Sequence, residues 1–338
     1  MNSSNRPVII WLLIGCALIF SMVVIGGITR LTGSGLSITE WNVVMGTIPP
    51  LNQDDWNIAF DKYQSSPQFA KINSHMGVEE FKSIFWWEYI HRLVGRALGI
   101  VFLIPFLGFL IQRKLSPSLI KKLLILFALG GLQGFLGWFM VASGLVDNPF
   151  VSHYRLAIHL IAAFFTFGYT FWIALDLIYA KTPQQKSSKS LQVLALTLFC
   201  ITILQIIYGA FVAGLHAGKY YITFPTMNGE WIPQEISSLT PFWKNLTENV
   251  TGVQFVHRIL AYIVLTLAVA IWIRIRKEQL SKTQKYGVIA IIISVMVQFV
   301  LGIITLLSAA PITLSALHQT GAFGVFASCV YFLHRLRK

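Results

Sequence analysis

Glu88-Tyr89-Ile90-His91-Arg92, running on into the apolar segment Ala97–Ile111, decides how this chain is read. A segment so apolar crosses hydrocarbon as a helix, because its backbone N–H and C=O groups must find partners within the segment itself. Yet it carries a histidine near its start. A polar, metal-binding side chain is costly there and marks a functional position. The pattern returns 166 residues later as Gln254-Phe255-Val256-His257-Arg258. His159 and His318 follow the two motifs by 68 and 61 residues, each inside a later apolar segment. Two matched pairs of histidines suggest two haems, each held between two imidazoles.

The composition agrees with a membrane protein. Of 338 residues, 55% are hydrophobic and 12% charged, and the mean hydropathy is +0.67. Eight stretches are long enough to span ~30 Å of hydrocarbon at ~1.5 Å per residue. They predict helices over 8–28, 89–112, 119–142, 153–178, 191–213, 253–274, 285–308 and 312–334. The expected fold is an all-α polytopic membrane protein with eight transmembrane helices.

The formal charge of +13 does not signal nucleic acid, because the basic residues alternate with the acids along the chain. Arg113, Lys114, Lys121 and Lys122 share one connection; Lys181, Lys186 and Lys189 lie two connections on. Arg274, Arg276, Lys277, Lys282 and Lys285 follow after a further two, and Arg335, Arg337 and Lys338 form the tail. The intervening connections hold Glu40, Asp54, Asp55, Asp61, Glu79 and Glu80, then Asp147, then Glu230, Glu235 and Glu248. This is the positive-inside pattern and places both termini in the cytoplasm. No import presequence or cleavage site precedes the first apolar run, so the expected location is a bacterial inner membrane. Cys16, Cys200 and Cys329 lie in apolar segments and no Cys-x-x-Cys-His occurs, which disfavours disulfides and covalently attached haem.

An internal repeat organises the chain. Besides the two His-Arg motifs, Leu132-Gln133-Gly134-Phe135-Leu136-Gly137 aligns with Val297-Gln298-Phe299-Val300-Leu301-Gly302 at an offset of 165, and His159 with His318 at 159. Four helices per half make the repeat parallel, giving two pseudo-repeated four-helix bundles. The expected domains are 1–185, with a substrate haem site and a long outer loop at about 30–88, and 186–338, with a haem b site. That loop contains Pro49-Pro50 and an expected surface helix near Asp54–Tyr63. All four histidines fall early in helices that enter from the outer side, so both sites belong to the outer leaflet.

Several further residues are candidates. Gly95, Ala163, Ala261 and Ala322 stand four residues beyond the histidines, one turn deeper on the same face, where small side chains leave room for a macrocycle. Small residues are also common wherever membrane helices touch. Arg92, Arg258, Arg96 and Arg155 are candidates for haem propionates, against simple snorkelling to the interface. His75 and His334 are expected at the surface. His153 and His216 stand at outer helix ends without a partner in the repeat. The repeat breaks most tellingly at Glu88 and Gln254, each three residues before its histidine. A carboxyl can exchange protons and an amide cannot, so the first site is expected to be catalytic and the second to carry electrons.

Gly26-Gly27-Ile28-Thr29-Arg30-Leu31-Thr32-Gly33-Ser34-Gly35-Leu36-Ser37, Trp41, Gly46 with Pro49-Pro50, and Tyr154-Arg155-Leu156 join these motifs in order along nearly the whole chain. Together they resemble the haem A synthase family of the mitochondrial and alphaproteobacterial type. The resemblance implies an eight-helix oxidoreductase that converts the C8 methyl of haem O to the formyl of haem A for cytochrome oxidase. It implies Glu88, His91 and His159 in the substrate pocket, with His91 and His159 on the substrate haem iron, and His257 and His318 as ligands of a haem b. A haem O synthase is the supplier it suggests; the electron donor, the oxygen source and homo-oligomerisation stay open. Another branch of the family has cysteine pairs in its outer loops, which this chain lacks. Two readings compete with it. A di-haem, quinol-linked b-type cytochrome would hold two stable haems of one kind; a transporter would need broken helices and polar residues at the midplane.

Overall fold

A computed structural model describes residues 5–41, 45–146, 149–182 and 185–337; Asp147 and Lys338 of the charge pattern lie outside these ranges. Among the described residues the fold is helical. The long helices are α1 (Arg6–Leu31), α2 (Gln53–Gln64), α3 (Val78–Ile111), α4 (Pro117–Val141), α5 (His153–Ile178), α6 (Lys189–Gly214), α7 (Val250–Arg274), α8 (Lys282–Leu307) and α9 (Ile312–Leu336). All except α2 are long and apolar enough to cross a membrane.

Local chemistry sets where they begin. The Ser116 hydroxyl accepts from the Leu119 amide with Pro117 at the first helical position of α4. Ser188 does the same for Leu191 in α6, and Asn249 accepts from the Thr251 and Gly252 amides in α7. Ser281 and Gln284 form a reciprocal capping box at the start of α8. Each cap satisfies donors that the first turn leaves without intrahelical partners.

The largest departure from expectation is α3. It starts at Val78 instead of near residue 89, so the apolar approach Phe81–Trp87 is helical. Thirty-four residues extend ~50 Å, well beyond a bilayer core. The added turns are held by α2, which the Asn52 side chain caps at the Asp55 amide, 2.9 Å away. Trp56, Phe60 and Tyr63 of α2 pack on Phe81, Ile84, Phe85 and Tyr89 of α3, forming a small core of their own.

By packing, the chain divides into two compact units, Ile14–Ala163 and Met1–Leu13 with Phe164–Lys338. These differ from the sequence halves 1–185 and 186–338 by the start of α1 and the second part of α5. In the first unit, α1 meets α3 through Met22 and Gly95, and α3 meets α4 through the stacked rings of Phe102 and Phe127. In the second, α6 packs on α7, α7 on α8, α8 on α9 and α9 back on α6, closing a four-helix ring. Its core includes Leu191, Leu198, Ile271, Ile291 and Phe332, all fully buried. Phe164 and Phe167 from the second part of α5 pack against Phe323 of α9.

Candidate functional site

The second unit brings His257 of α7 and His318 of α9 face to face, with ring centres 6.4 Å apart and planes at 78°. Two imidazoles bound on opposite sides of one metal, at ~2.0 Å per bond, have ring centres about 6 Å apart. The pair therefore fits bis-histidine ligation of a haem iron. Among the described residues, the Nδ1 atoms of both rings are buried without a hydrogen-bond partner, as is that of His159. Orphaned buried nitrogens are costly in an apolar interior and suit groups that bind something else.

Each ring rests against a glycine of a neighbouring helix. A Cβ on Gly209 of α6 would come 3.5 Å from His257 Cε1, and one on Gly302 of α8 would come 2.9 Å from His318 Cε1. Two glutamines complete the surroundings. The Gln298 amide donates to the His318 carbonyl at 2.9 Å and lies 3.4 Å from His318 Nε2. The Gln205 amide nitrogen lies 3.4 Å from His257 Nε2.

The first unit repeats part of this arrangement. A Cβ on Gly26 of α1 would come 2.9 Å from His91 Nε2, and one on Gly137 of α4 would come 3.3 Å from His159 Cε1. The Gln133 amide lies 3.5 Å from the His159 carbonyl. Where the second unit has Gln205, four residues before its glycine, the first has Met22 four residues before Gly26. Only one of the two sites has an amide at that position.

Glu88 is 3% exposed, and its carboxylate is fully engaged. Oε2 accepts from the Ser37 hydroxyl and the Ile38 amide, both at 2.8 Å. Oε1 accepts from Arg92 Nε at 3.1 Å and from the terminal nitrogen of the same guanidinium. That guanidinium also donates to the Ile38 and Glu40 carbonyls, each at 2.7 Å. Gln254 is 2% exposed; its amide donates to the Ala217 and Tyr221 carbonyls at 2.9 and 3.2 Å. Arg258 donates to the Tyr221 and Thr223 carbonyls, both at 2.8 Å. Arg92 and Arg258, expected as propionate partners, make polar contacts both to loop backbone and to the side chain four residues before them. Arg155 donates to the Phe139 carbonyl at 2.7 Å and lies over the Phe139 ring. Arg96 is half-buried one turn beyond Arg92.

Of the other histidines, His75 is exposed as expected. His334 is a correction: it is completely buried, bonded through Nε2 to Asp176 of α5 at 3.1 Å and packed edge-on against Trp172. Asp176 also pairs with Arg337. Nothing in the spacing linked an acid at the end of α5 to a histidine in the last turn of α9. His216 is exposed and has a left-handed backbone, φ 54°, 183 residues after Gly33 at φ 69°. His153 packs against Tyr154. Gly26, Gly209, Gln205 and Ser37 went unassigned in the sequence. The offset of 183 that relates Gly26 to Gly209 differs from the 159–166 of the other motifs, because the loops between α1 and α3 and between α6 and α7 differ in length.

Comparison with known proteins covers nearly the whole chain. Residues 9–330 match the family model described as COX15-CtaA, cytochrome oxidase assembly protein. Similar proteins named heme A synthase include one from Flavobacterium johnsoniae, 47% identical with 100% of each chain covered. Another, from Nitrosospira multiformis, is 46% identical, with 99% of this chain and 94% of the relative covered. A third, from Parvibaculum lavamentivorans, is 44% identical, with 100% and 96% covered.

Proposed function

The chain belongs to the COX15-CtaA cytochrome oxidase assembly family, and from that premise we propose that it is a haem A synthase of the bacterial inner membrane. It takes haem O as substrate and oxidises the C8 methyl, through the alcohol, to the formyl group of haem A. His91 and His159 hold the substrate iron. His257 and His318 would hold a haem b, which would carry electrons between the substrate site and an external redox partner. The observation that carries this two-site reading is the His257–His318 pair at 6.4 Å, together with a second histidine pair set against glycines in the same manner.

The protein's own groups bind, orient and exclude. Gly26, Gly137, Gly209 and Gly302 let neighbouring helices approach the imidazoles closely. Gln133 and Gln298 reach the carbonyls of the histidines on the fifth and ninth helices, which sets the rotation of those turns. The apolar helices keep water from both irons. Both sites lie toward the outer leaflet with the termini in the cytoplasm, as the basic connections require. A haem O synthase would supply the substrate.

Haem extraction from the purified protein, followed by chromatography, tests the reading. Haem B accompanied by haem O or haem A is the expected result; haem B alone would return the protein to the di-haem carrier class, which relatives named heme A synthase disfavour. His257→Ala and His318→Ala should each lower haem B and abolish the low-spin signal, since six-coordinate iron needs both nitrogens. Unchanged haem B and spectra in both variants would remove the second site.

A further inference from the structure

In both units the arginine that follows the histidine reaches two carbonyls of the loop at matching positions, and Arg258 reaches that of Thr226 as well, at 3.3 Å. Arg92 reaches the carbonyls of residues 38 and 40, and Arg258 those of residues 221 and 223. Those two acceptors in the second unit stand 183 residues after those in the first, the offset that relates Gly26 to Gly209. Each arginine also touches the residue four before it: Arg92 bonds Glu88 Oε1 at 3.1 Å, and Arg258 lies 3.3 Å from Gln254 Oε1.

The residue three before the histidine differs as its loop differs. The segment after α1 points donors at this position, the Ser37 hydroxyl and the Ile38 amide. The segment after α6 points acceptors at it, the Ala217 and Tyr221 carbonyls. A carboxylate only accepts, whereas an amide both donates and accepts. Glutamate therefore matches the first loop and glutamine the second. The difference that the sequence suggested was catalytic has a local cause in the hydrogen-bond polarity of the two loops.

We propose that Glu88 with Arg92, and Gln254 with Arg258, are positioning residues: latches that tie the chain leaving α1, and the chain leaving α6, to the helix turn carrying His91 or His257. The glycine contact and the latch then join the same two helices at two heights, Gly26 against His91 and residues 37–40 against 88–92. Two such points fix both separation and rotation, so the imidazole is held before any haem arrives. On this view Glu88 works through the loop over the substrate site and not on the reacting methyl. The assignment of substrate to His91 rests on the proposed function; the latch itself does not.

Hydrogen exchange read by mass spectrometry on the full-length protein, as purified in lipid nanodiscs, tests it. Glu88→Gln places an amide donor among donors and should speed exchange of the 34–41 backbone at least tenfold, leaving 217–224 unchanged. Gln254→Glu, which turns a carboxylate toward carbonyls, should do the reverse. Arg92→Lys and Arg258→Lys keep the charge but lose the forked geometry, and should loosen 38–40 and 221–223 respectively; they carry the test if either swap fails to accumulate. Ser37→Ala removes one of four bonds to the carboxylate and should raise exchange at 34–41 by less than Glu88→Gln. Less than twofold change in the matching loop for both swaps, or for both lysine variants where a swap does not accumulate, overturns the latch. So does loss of haem A in Glu88→Gln with 34–41 as protected as in the parent. Failure of the underlying site assignment would appear elsewhere, as unchanged haem content in His91→Ala, and would leave the exchange result standing.

Discussion

Four glycines show how much a single atom can decide at each site. A methyl on Gly302 would stand 2.9 Å from His318 Cε1, too close for real contacts, whereas one on Gly209 would sit at an ordinary 3.5 Å from His257 Cε1. Gly302→Ala should therefore push the His318 ring aside and at least halve haem B per polypeptide, with a changed low-spin signal. Gly209→Ala should keep both. Equal haem content in the two variants would mean that the glycine distances do not govern ligation. A second residue-scale expectation concerns His334, which is buried between Asp176 and Trp172. His334→Ala removes one hydrogen bond to Asp176, which keeps its pair with Arg337. It should cost about 1.5–3 kcal/mol, the usual range for a hydrogen bond to a charged group, read as a lower Tm in detergent with the haem spectrum intact. An unchanged Tm would show that the contact contributes no net stability. The histidines themselves were legible because a polar side chain in an apolar run stands out. Their glycine neighbours were not, since small residues occur throughout membrane helices for many reasons.

At the scale of elements, the eight spans could be read from apolar length, and the start of α4 from Ser116-Pro117. The beginning of α3 could not. Phe81–Trp87 is apolar enough to belong to loop, interface or helix, and what makes it helical is the aromatic face that α2 offers. Trp56 is central to that face, touching Phe81, Phe85 and Trp86 edge-on. Trp56→Ala should remove about 3–5 kcal/mol of packing from this small core alone. Limited proteolysis is then expected to cut within 45–77 at concentrations that spare the parent, while haem B content stays constant. If haem B falls as well, α2 supports more of the molecule than its contacts suggest.

For the molecule as a whole, the proposed orientation rests on the alternation of basic and acidic connections. Reporter fusions after Lys189 and after Arg276 should read as cytoplasmic, and fusions near Gln64 and Glu235 as external. The reversed pattern would move all four histidines to the inner leaflet and detach the depth argument from the proposed function.

Composition sufficed for the eight-helix membrane class, the repeated His-Arg motif singled out the histidines, and the ordered motifs carried the family resemblance. Each of these depends on solvent preference or on residue identity in order, and both are written along the chain. Which groups meet across helices depended on folding. The Gly–His contacts, the pairing of His334 with Asp176 and the engagement of Arg92 and Arg258 with loop carbonyls join residues separated by loops of unequal length. Loop length alters the offset without altering the contact, so no constant spacing records them. The polarity that matches Glu88 to one loop and Gln254 to the other belongs, apart from the Ser37 hydroxyl, to backbone N–H and C=O groups. Every residue except proline carries both, and only the folded path determines which of them faces the side chain.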